Sequence, residues 1–328
     1  MIKRFFLNPI LFFILIIISS SWGFLAHKTI SQLAVYQLPV EMQPFFFKHI
    51  NYIVNNAIRA DQRRGSDPTE GTKHFVDLEA FEKTPSNKMP MYYQDAIKKY
   101  GIDSLKKYGY VPYYIIEMKE KLTLAFKNVQ KDDILYAAAD IAHYIADAQV
   151  PLHTTINYDG QLTNQKGLHA LWESAVPEYE LTNFNLYSNH QAIYLKDPSI
   201  QIWQNIRTAQ GLLSEVFLQE KKVSEQFTDS TKYESKYRYG RWQKEYAPAF
   251  AKEYAKQVKT SVVQQLNNSV QLIADIWFTA WVDAGKPNLT TIAGELTVEE
   301  KNDLANQISN YKKNTLIEKG MLISLKTK

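Results

Sequence analysis

The chain of 328 residues contains no cysteine, which excludes disulfides and any lipid attachment through a thiol. It also carries little net charge: +4 overall, and about +2 once Lys3 and Arg4 are set aside as part of an N-terminal leader. Such a small excess is neither a strong nucleic-acid signature nor a strongly basic membrane-binding face, and it rejects neither partner. No internal repeat and no low-complexity block is present. No segment shows sustained strand alternation between hairpin turns. Long apolar runs are scarce, with one exception at the start.

That exception is "MIKRFFLNPILFFILIIISSSW". Two basic residues, an apolar run and a string of serines have the build of a secretory signal peptide, with cleavage favoured after Ser21. The alternative is an uncleaved anchor, although the run is near the short end for a spanning helix. Cleavage predicts an exported protein, periplasmic or secreted. The chain is rich enough in apolar side chains (45% hydrophobic, 13% aromatic) for one sizeable core or two small ones.

Most of the chain beyond the leader reads as helix. Apolar residues recur at three-and-four spacing in "FLAHKTISQLAVYQL", "VPYYIIEMKEKLTLAF", "DDILYAAADIAHYIADA" and "NNSVQLIADIWFTAWVDA". Asp132 is the expected N-cap of the third of these, and Gly285 followed by Pro287 should close the fourth. Polar, turn-rich stretches lie at "DQRRGSDPTEGTK", "NYDGQLTNQKG" and "TDSTKYESKYRYGR". The expected organisation is a leader over 1–21, a helical domain over 22–290 and a charged, amphipathic, peripheral tail over 291–328. An all-α fold, a single multi-helix domain, is the economical architecture.

The stretch "HYIADAQVPLH", His143 to His153, is the chemical focus. On a helix His143 and Asp147 lie one turn apart and share a face. Pro151 ends the regular run and lets His153 approach from another direction. Imidazole nitrogen and carboxylate oxygen suit zinc, yet a lone pair of this kind is ordinary on surface helices. A second pair of the same spacing, His169 and Glu173 in "LHALWE", changes the weight of the first. His27 in "WGFLAH", Asp61 in "RADQRR" and His74 in "KHFVDLE" add further donors. Together they predict metal binding by ligand number and spacing.

In residue order these motifs resemble the zinc-dependent phospholipase C and single-strand-specific nuclease superfamily, from Trp22 to about Glu173. The resemblance implies a helical fold around three zinc ions. It implies that Trp22, through its free amine and carbonyl oxygen, shares one zinc with His27, with Asp147 bridging to the next. Asp61, His74 and His143 would complete that second ion's set, and His153, His169 and Glu173 would hold the third. It implies hydrolysis of a phosphodiester, because paired zinc ions lower the pKa of a shared water for attack on phosphorus. Asp61 and Asp147 are the implied catalytic carboxylates, Asp61 orienting that water. Asp77 and Asp140 are candidates for orienting ligand rings; both are equally readable as helix-end acids.

Two branches of the superfamily compete. The Trp-x4-His spacing and "HFVD" resemble the nuclease branch, where Phe75 and Asp77 would hold a base. Glu173 and the short segment before His169 resemble the phospholipase branch, although the insertion carrying a choline-recognising acid is missing here. Phospholipase C chemistry is slightly favoured, with single-stranded DNA or RNA as the alternative substrate. Asn157 and Tyr158, in the loop between two ligands, are the remaining substrate candidates. A non-catalytic, zinc-stabilised envelope protein is the reading from a different class. No stable protein partner is implied.

Overall fold

A helix of 36 residues, Pro248–Asp283, forms the spine on which the rest of the molecule is assembled. At 1.5 Å per residue it runs about 54 Å. It includes the expected "NNSVQLIADIWFTAWVDA" segment and ends where expected, with Gly285 at φ 87° just past its C-terminus. Against it pack the opening helix Phe24–Tyr36, the neighbouring pair Val111–Lys127 and Lys131–Asp147, and the helix Leu213–Ser224. The computed structural model describes residues 23–82, 88–238 and 240–326. Trp22 and the leader expected over 1–21 lie outside the described residues.

The architecture is an all-helical single domain with one small two-stranded sheet. Its core contains Trp172, Trp203, Trp277, Tyr144, Phe46 and Phe126, all essentially sealed from solvent. Burying side chains of this size contributes roughly 1.5–3 kcal/mol each before entropy is charged against it. Two polar contacts fix the helix carrying His143 to the spine. Trp277 Nε1 donates to the carbonyl of Ala138 (3.1 Å), and Gln265 Nε2 donates to the carbonyl of Gln149 (2.7 Å). The second satisfies a carbonyl freed where the helix stops. Val150, ahead of Pro151, is extended (φ −78°, ψ 119°), and Pro151–Thr154 forms a 3-10 turn that redirects His153. Among the described residues no helix is long and apolar enough to cross a membrane.

Three expectations need correction. Asp132 is not the N-cap of its helix: Gln130 holds that place, and Asp132 stands in the first turn with its carboxylate in solvent. There it acts through the helix dipole and not by capping a backbone N–H. The tail is not peripheral. Its helix Val298–Lys312 opens with a full capping box from Thr297 and Glu300. Tyr311, Leu316 and Leu322 are buried, Tyr36 donates to Gln307 (2.7 Å), and Thr29 and Ser324 share a hydrogen bond. Finally, the stretch expected to be turn-rich contains strand β1 (Tyr233–Arg238) and runs into the first residue of strand β2 (Arg241–Tyr246); the two form an antiparallel hairpin in which Arg238 pairs with Arg241. Its alternation of aromatic and charged residues is real. Tyr and Trp carry the strand preference, and the intervening charges mask it in the sequence.

Candidate metal centre

The opening helix, the helix Lys131–Asp147 and the short helix Arg59–Arg63 converge with their ligand-type side chains inward. His27 comes from the first, His143 and Asp147 from the second at the expected i, i+4 spacing, and Asp61 from the third. His74 follows a short 3-10 turn, Gly71–Lys73. His153 sits in the turn after Pro151. His169 and Glu173 lie on a segment that begins as α-helix at Leu168 and widens into a π-helical turn over Leu171–Ala175. Gly167 starts that segment at φ 96°, a conformation that favours glycine. π-turns cluster at functional sites, and this one is invisible to a 3.6-residue pattern.

Three groups of ligand-type atoms result, each with its donors within 4.8 Å of one another: His27, Asp61 and His143; His74, His143 and Asp147; His153, His169 and Glu173. All eight candidates that fall among the described residues are therefore brought together. His143 belongs to two groups. His27 falls with Asp61 and His143, while its Nε2 also stands 3.4 Å from Asp147 Oδ1. Each of these eight side chains is buried.

The spacing of the donors tests whether metal ions fit. Around a tetrahedral zinc with bonds near 2.0–2.1 Å, donor atoms sit roughly 3.3 Å apart. Here His143 Nε2 is 3.2 Å from His74 Nδ1 and 3.3 Å from Asp147 Oδ2. In the third group His169 Nε2 is 2.9 Å from both His153 Nε2 and Glu173 Oε2, and His153 Nε2 is 3.6 Å from Glu173. Hydrogen bonding accounts for part of this, as in His74 Nδ1 and Asp147 Oδ2 at 2.7 Å. It does not account for His27, which is 1% exposed; among the described residues neither of its ring nitrogens is in a hydrogen bond. A buried imidazole without hydrogen bonds is costly, and a cation at its nitrogen removes the cost. The residues fit a polynuclear metal centre of nitrogen and oxygen donors.

The electrostatics is that of charged carboxylates facing imidazoles: against burial, Asp147 and Asp61 raise His143 well above its ordinary value, and Glu173 raises His169. Burial pushes Asp147 toward neutrality, but the His143 and His153 rings outweigh it and hold its carboxyl well below the usual range. Asp61 is likewise lowered against burial, chiefly by His143. Burial pulls His153 down to about 3, against the pull of Asp147. Burial also lowers His27, with the neighbouring His143 adding to the effect.

The partners that aim the rings are mostly backbone. His143 Nδ1 donates to the Ala57 carbonyl (2.8 Å) and His153 Nδ1 to the His74 carbonyl (2.9 Å), which fixes the tautomers that turn Nε2 inward. Behind His74 stands a carboxylate that the sequence motifs do not single out. Glu70, 1% exposed, has Oε1 3.4 Å from His74 Nε2 and is held by Tyr144, Arg63 (3.3 Å) and Lys73 (2.8 Å). Its i, i+4 spacing to His74 is a usable signal, hidden inside "DQRRGSDPTEGTK". Asp140 acts one step further out, gripped by Arg59 (2.5 Å) and Arg63 (2.7 Å). Asp77 has no ring contact among the described residues; its amide donates to Tyr108, and burial raises its carboxyl to about 7.

The other substrate candidates are spread along the rim. Phe75 is half-buried and lies against Gly109, where a Cβ would come within 2.6 Å of its ring. Tyr158 is exposed, its ring 6.3 Å from that of His169. Asn157 is buried and spends its side chain on its own loop, donating to Thr163 (3.1 Å) and accepting from the amide of Leu162 (2.7 Å). Beside it an open cleft of about 1020 Å³ is lined by Thr155, Gln165, Phe217, Leu218 and Lys232. None of the eight ligand candidates lines that cleft. No protein-family model matches the chain, and no match was found among curated proteins.

Proposed function

We propose that this chain is a zinc-dependent phosphodiester hydrolase, phospholipase C-like before nuclease-like, with His27, Asp61, His74, His143, Asp147, His153, His169 and Glu173 as ligands to three ions. The observation that carries it is the adjoining of three donor groups, two of them sharing His143. Adjoining ions are what phosphoryl chemistry uses. When bound, such ions lower the pKa of a water near neutral pH and neutralise the oxygens of the phosphate. The chain's own part is to hold the donors. Asp147 places one carboxylate among four imidazoles, those of His27, His74, His143 and His153, and Asp61 supplies a second at the junction of two groups.

The resemblance drawn from the motif order supplies the substrate class. Arg64, whose Nη1 lies 3.6 Å from Asp61 Oδ1, supports it by bringing a guanidinium to the edge of the donor cluster. Trp22 belongs to the same reading, as does export with cleavage before it. What supports its place is Gly23, whose amide donates to the Glu173 carbonyl (3.2 Å) and where a Cβ would stand 2.9 Å from Ser174 Oγ. The nuclease alternative rests on Phe75 and Asp77, which closely follow His74.

The test is a metal analysis of the mature protein, then parallel assays of the zinc-loaded enzyme on phospholipid, single-stranded DNA and RNA. Close to three zinc ions and cleavage of phospholipid are expected. At most one tightly held ion would overturn the trinuclear reading. Cleavage of nucleic acid alone would replace the lipase by the nuclease.

A further inference from the structure

The β1–β2 hairpin is built to lie half in the protein and half out of it. Residues on one face alternate along both strands, so Tyr233, Tyr237, Trp242 and Tyr246 share a side, paired Tyr233 with Tyr246 and Tyr237 with Trp242. The inner pair is anchored. Tyr246 stacks on Phe250 at 4.8 Å, and its hydroxyl donates to Glu220 (2.9 Å) and contacts the Gln165 carbonyl at 3.3 Å. The outer pair, about 13 Å further along at 3.3 Å per residue, is in solvent: Tyr237 is 63% exposed and Trp242 71%. Their rings meet edge to face at 5.5 Å and touch each other rather than the core.

The hairpin is also basic. The fourteen residues Tyr233–Tyr246 hold four basic and two acidic side chains, a formal +2 in a chain of +4. The hairpin base abuts the loop between two ligand candidates, since a Cβ on Gly167 would meet the Tyr246 ring at 3.4 Å. That loop also presents apolar side chains to solvent, at Ile156, Tyr158 and Leu162.

We infer that the hairpin tip is a membrane-docking element that seats Tyr237 and Trp242 in the interface of an anionic lipid surface. Tyrosine and tryptophan favour the headgroup region, where an apolar ring and a polar atom are both accommodated. Basic residues in the same hairpin add attraction to anionic headgroups. A single-stranded nucleic acid uses aromatics and basic residues too, but along a groove that tracks the backbone. Here the two exposed rings pack on each other instead of standing apart for bases to stack between, which fits insertion. Docking of this kind is a binding event, independent of which bond the metal centre cuts.

The experiment reads energy transfer from protein tryptophan to a dansyl lipid, in vesicles of phosphatidylcholine alone and with added phosphatidylglycerol, within the first second of mixing. The metal-loaded wild type should partition onto the anionic vesicles. Tyr237→Ala with Trp242→Ala should weaken that by tenfold or more. Arg238→Gln with Arg241→Gln should remove most of the preference for phosphatidylglycerol. To separate Trp242's loss as donor from loss of binding, vesicle co-sedimentation is run alongside. Unchanged melting temperature, zinc content and hydrolysis of a soluble phosphodiester in the aromatic variant would establish that fold and metal centre are intact. Equal co-sedimentation of variant and wild type would overturn the inference, as would a wild type that ignores both vesicles. Loss of oligonucleotide binding in the aromatic variant, with no vesicle binding by wild type, would reassign the tip to nucleic acid.

Discussion

Two halves of the candidate metal centre are constructed by different means. His27, His143 and Asp147 stand on helices of 13 and 17 residues, are 0–1% exposed, and owe their spacing to regular helical geometry. His153, His169 and Glu173 stand on a proline-led 3-10 turn and a helix that loosens into a π-turn, with the two histidines 6% and 8% exposed. The first half is stiff and sealed. The second borders Tyr158 and solvent, and its geometry is set by local irregularities with more room to adjust. A seam joins them: the Val76 amide donates to the His153 carbonyl (2.9 Å), and His153 Nδ1 returns a bond to the His74 carbonyl. Both halves offer ligand-type donors; what differs is the regularity of the backbone that holds them.

The largest effect should come from the stiff half. Asp147→Asn keeps the shape but removes the charge facing His27, His74 and His143. Metal content should fall by at least one ion and turnover by ~10²-fold or more, read by elemental analysis and steady-state assay. Full zinc with near-normal turnover would erase the distinction between the halves. Next comes Glu70→Gln, which leaves His74 in place but weakens its support. A loss of about 10–100-fold in zinc affinity is expected from chelator competition. An unchanged affinity would reduce Glu70 to a partner for Arg63 and Lys73.

The irregular half should tolerate more. Glu173→Asp keeps a carboxylate on a shorter arm, and the loosened turn can follow it, so turnover within about tenfold of wild type is expected. Complete loss of the third group's metal would make the π-turn as strict as a helix. The smallest effect concerns Asp77, three residues from His74 and one from the seam. Burial raises its carboxyl to about 7, so between its ordinary value near 4 and 7 the folded state binds the extra proton. Stability contributed by that neutral carboxyl is present below pH ~4 and is lost as pH rises through 7. Asp77→Asn should therefore flatten the fall in melting temperature across that window and melt higher at pH 8. Parallel curves for variant and wild type would show that Asp77 is solvated.

What is legible in the sequence follows regular periodicity. His143 with Asp147 and His169 with Glu173 stand out because four residues make about one helical turn, and the long apolar helices stand out for the same reason. Glu70 has that spacing to His74 but lies in a run of polar, turn-forming residues where the pattern predicts no helix. The hairpin is hidden by its charges, since alternation between Tyr and Lys reads as polar composition before it reads as a strand. Asp132 lies two residues past the true cap because several acids can begin a helix and only the backbone geometry decides which residue is first. The π-turn at Leu171–Ala175 and the Gln265 contact to Gln149 are tertiary facts, set by packing against the spine.

The ligand candidates run from His27 to Glu173, and partners such as His74 and His143 are 69 residues apart. An ion seated between them ties distant segments and closes long loops in a chain that has no covalent tie of its own. Closure entropy grows only slowly with loop length, by about 0.6 kcal/mol per doubling, so the number of ties matters more than their span. Unlike a disulfide, such a tie obeys mass action. Once free ion exceeds its dissociation constant, each tenfold rise adds about 1.4 kcal/mol to the folded state. The durability of this molecule would then track the ion supply of its surroundings and be indifferent to their redox potential.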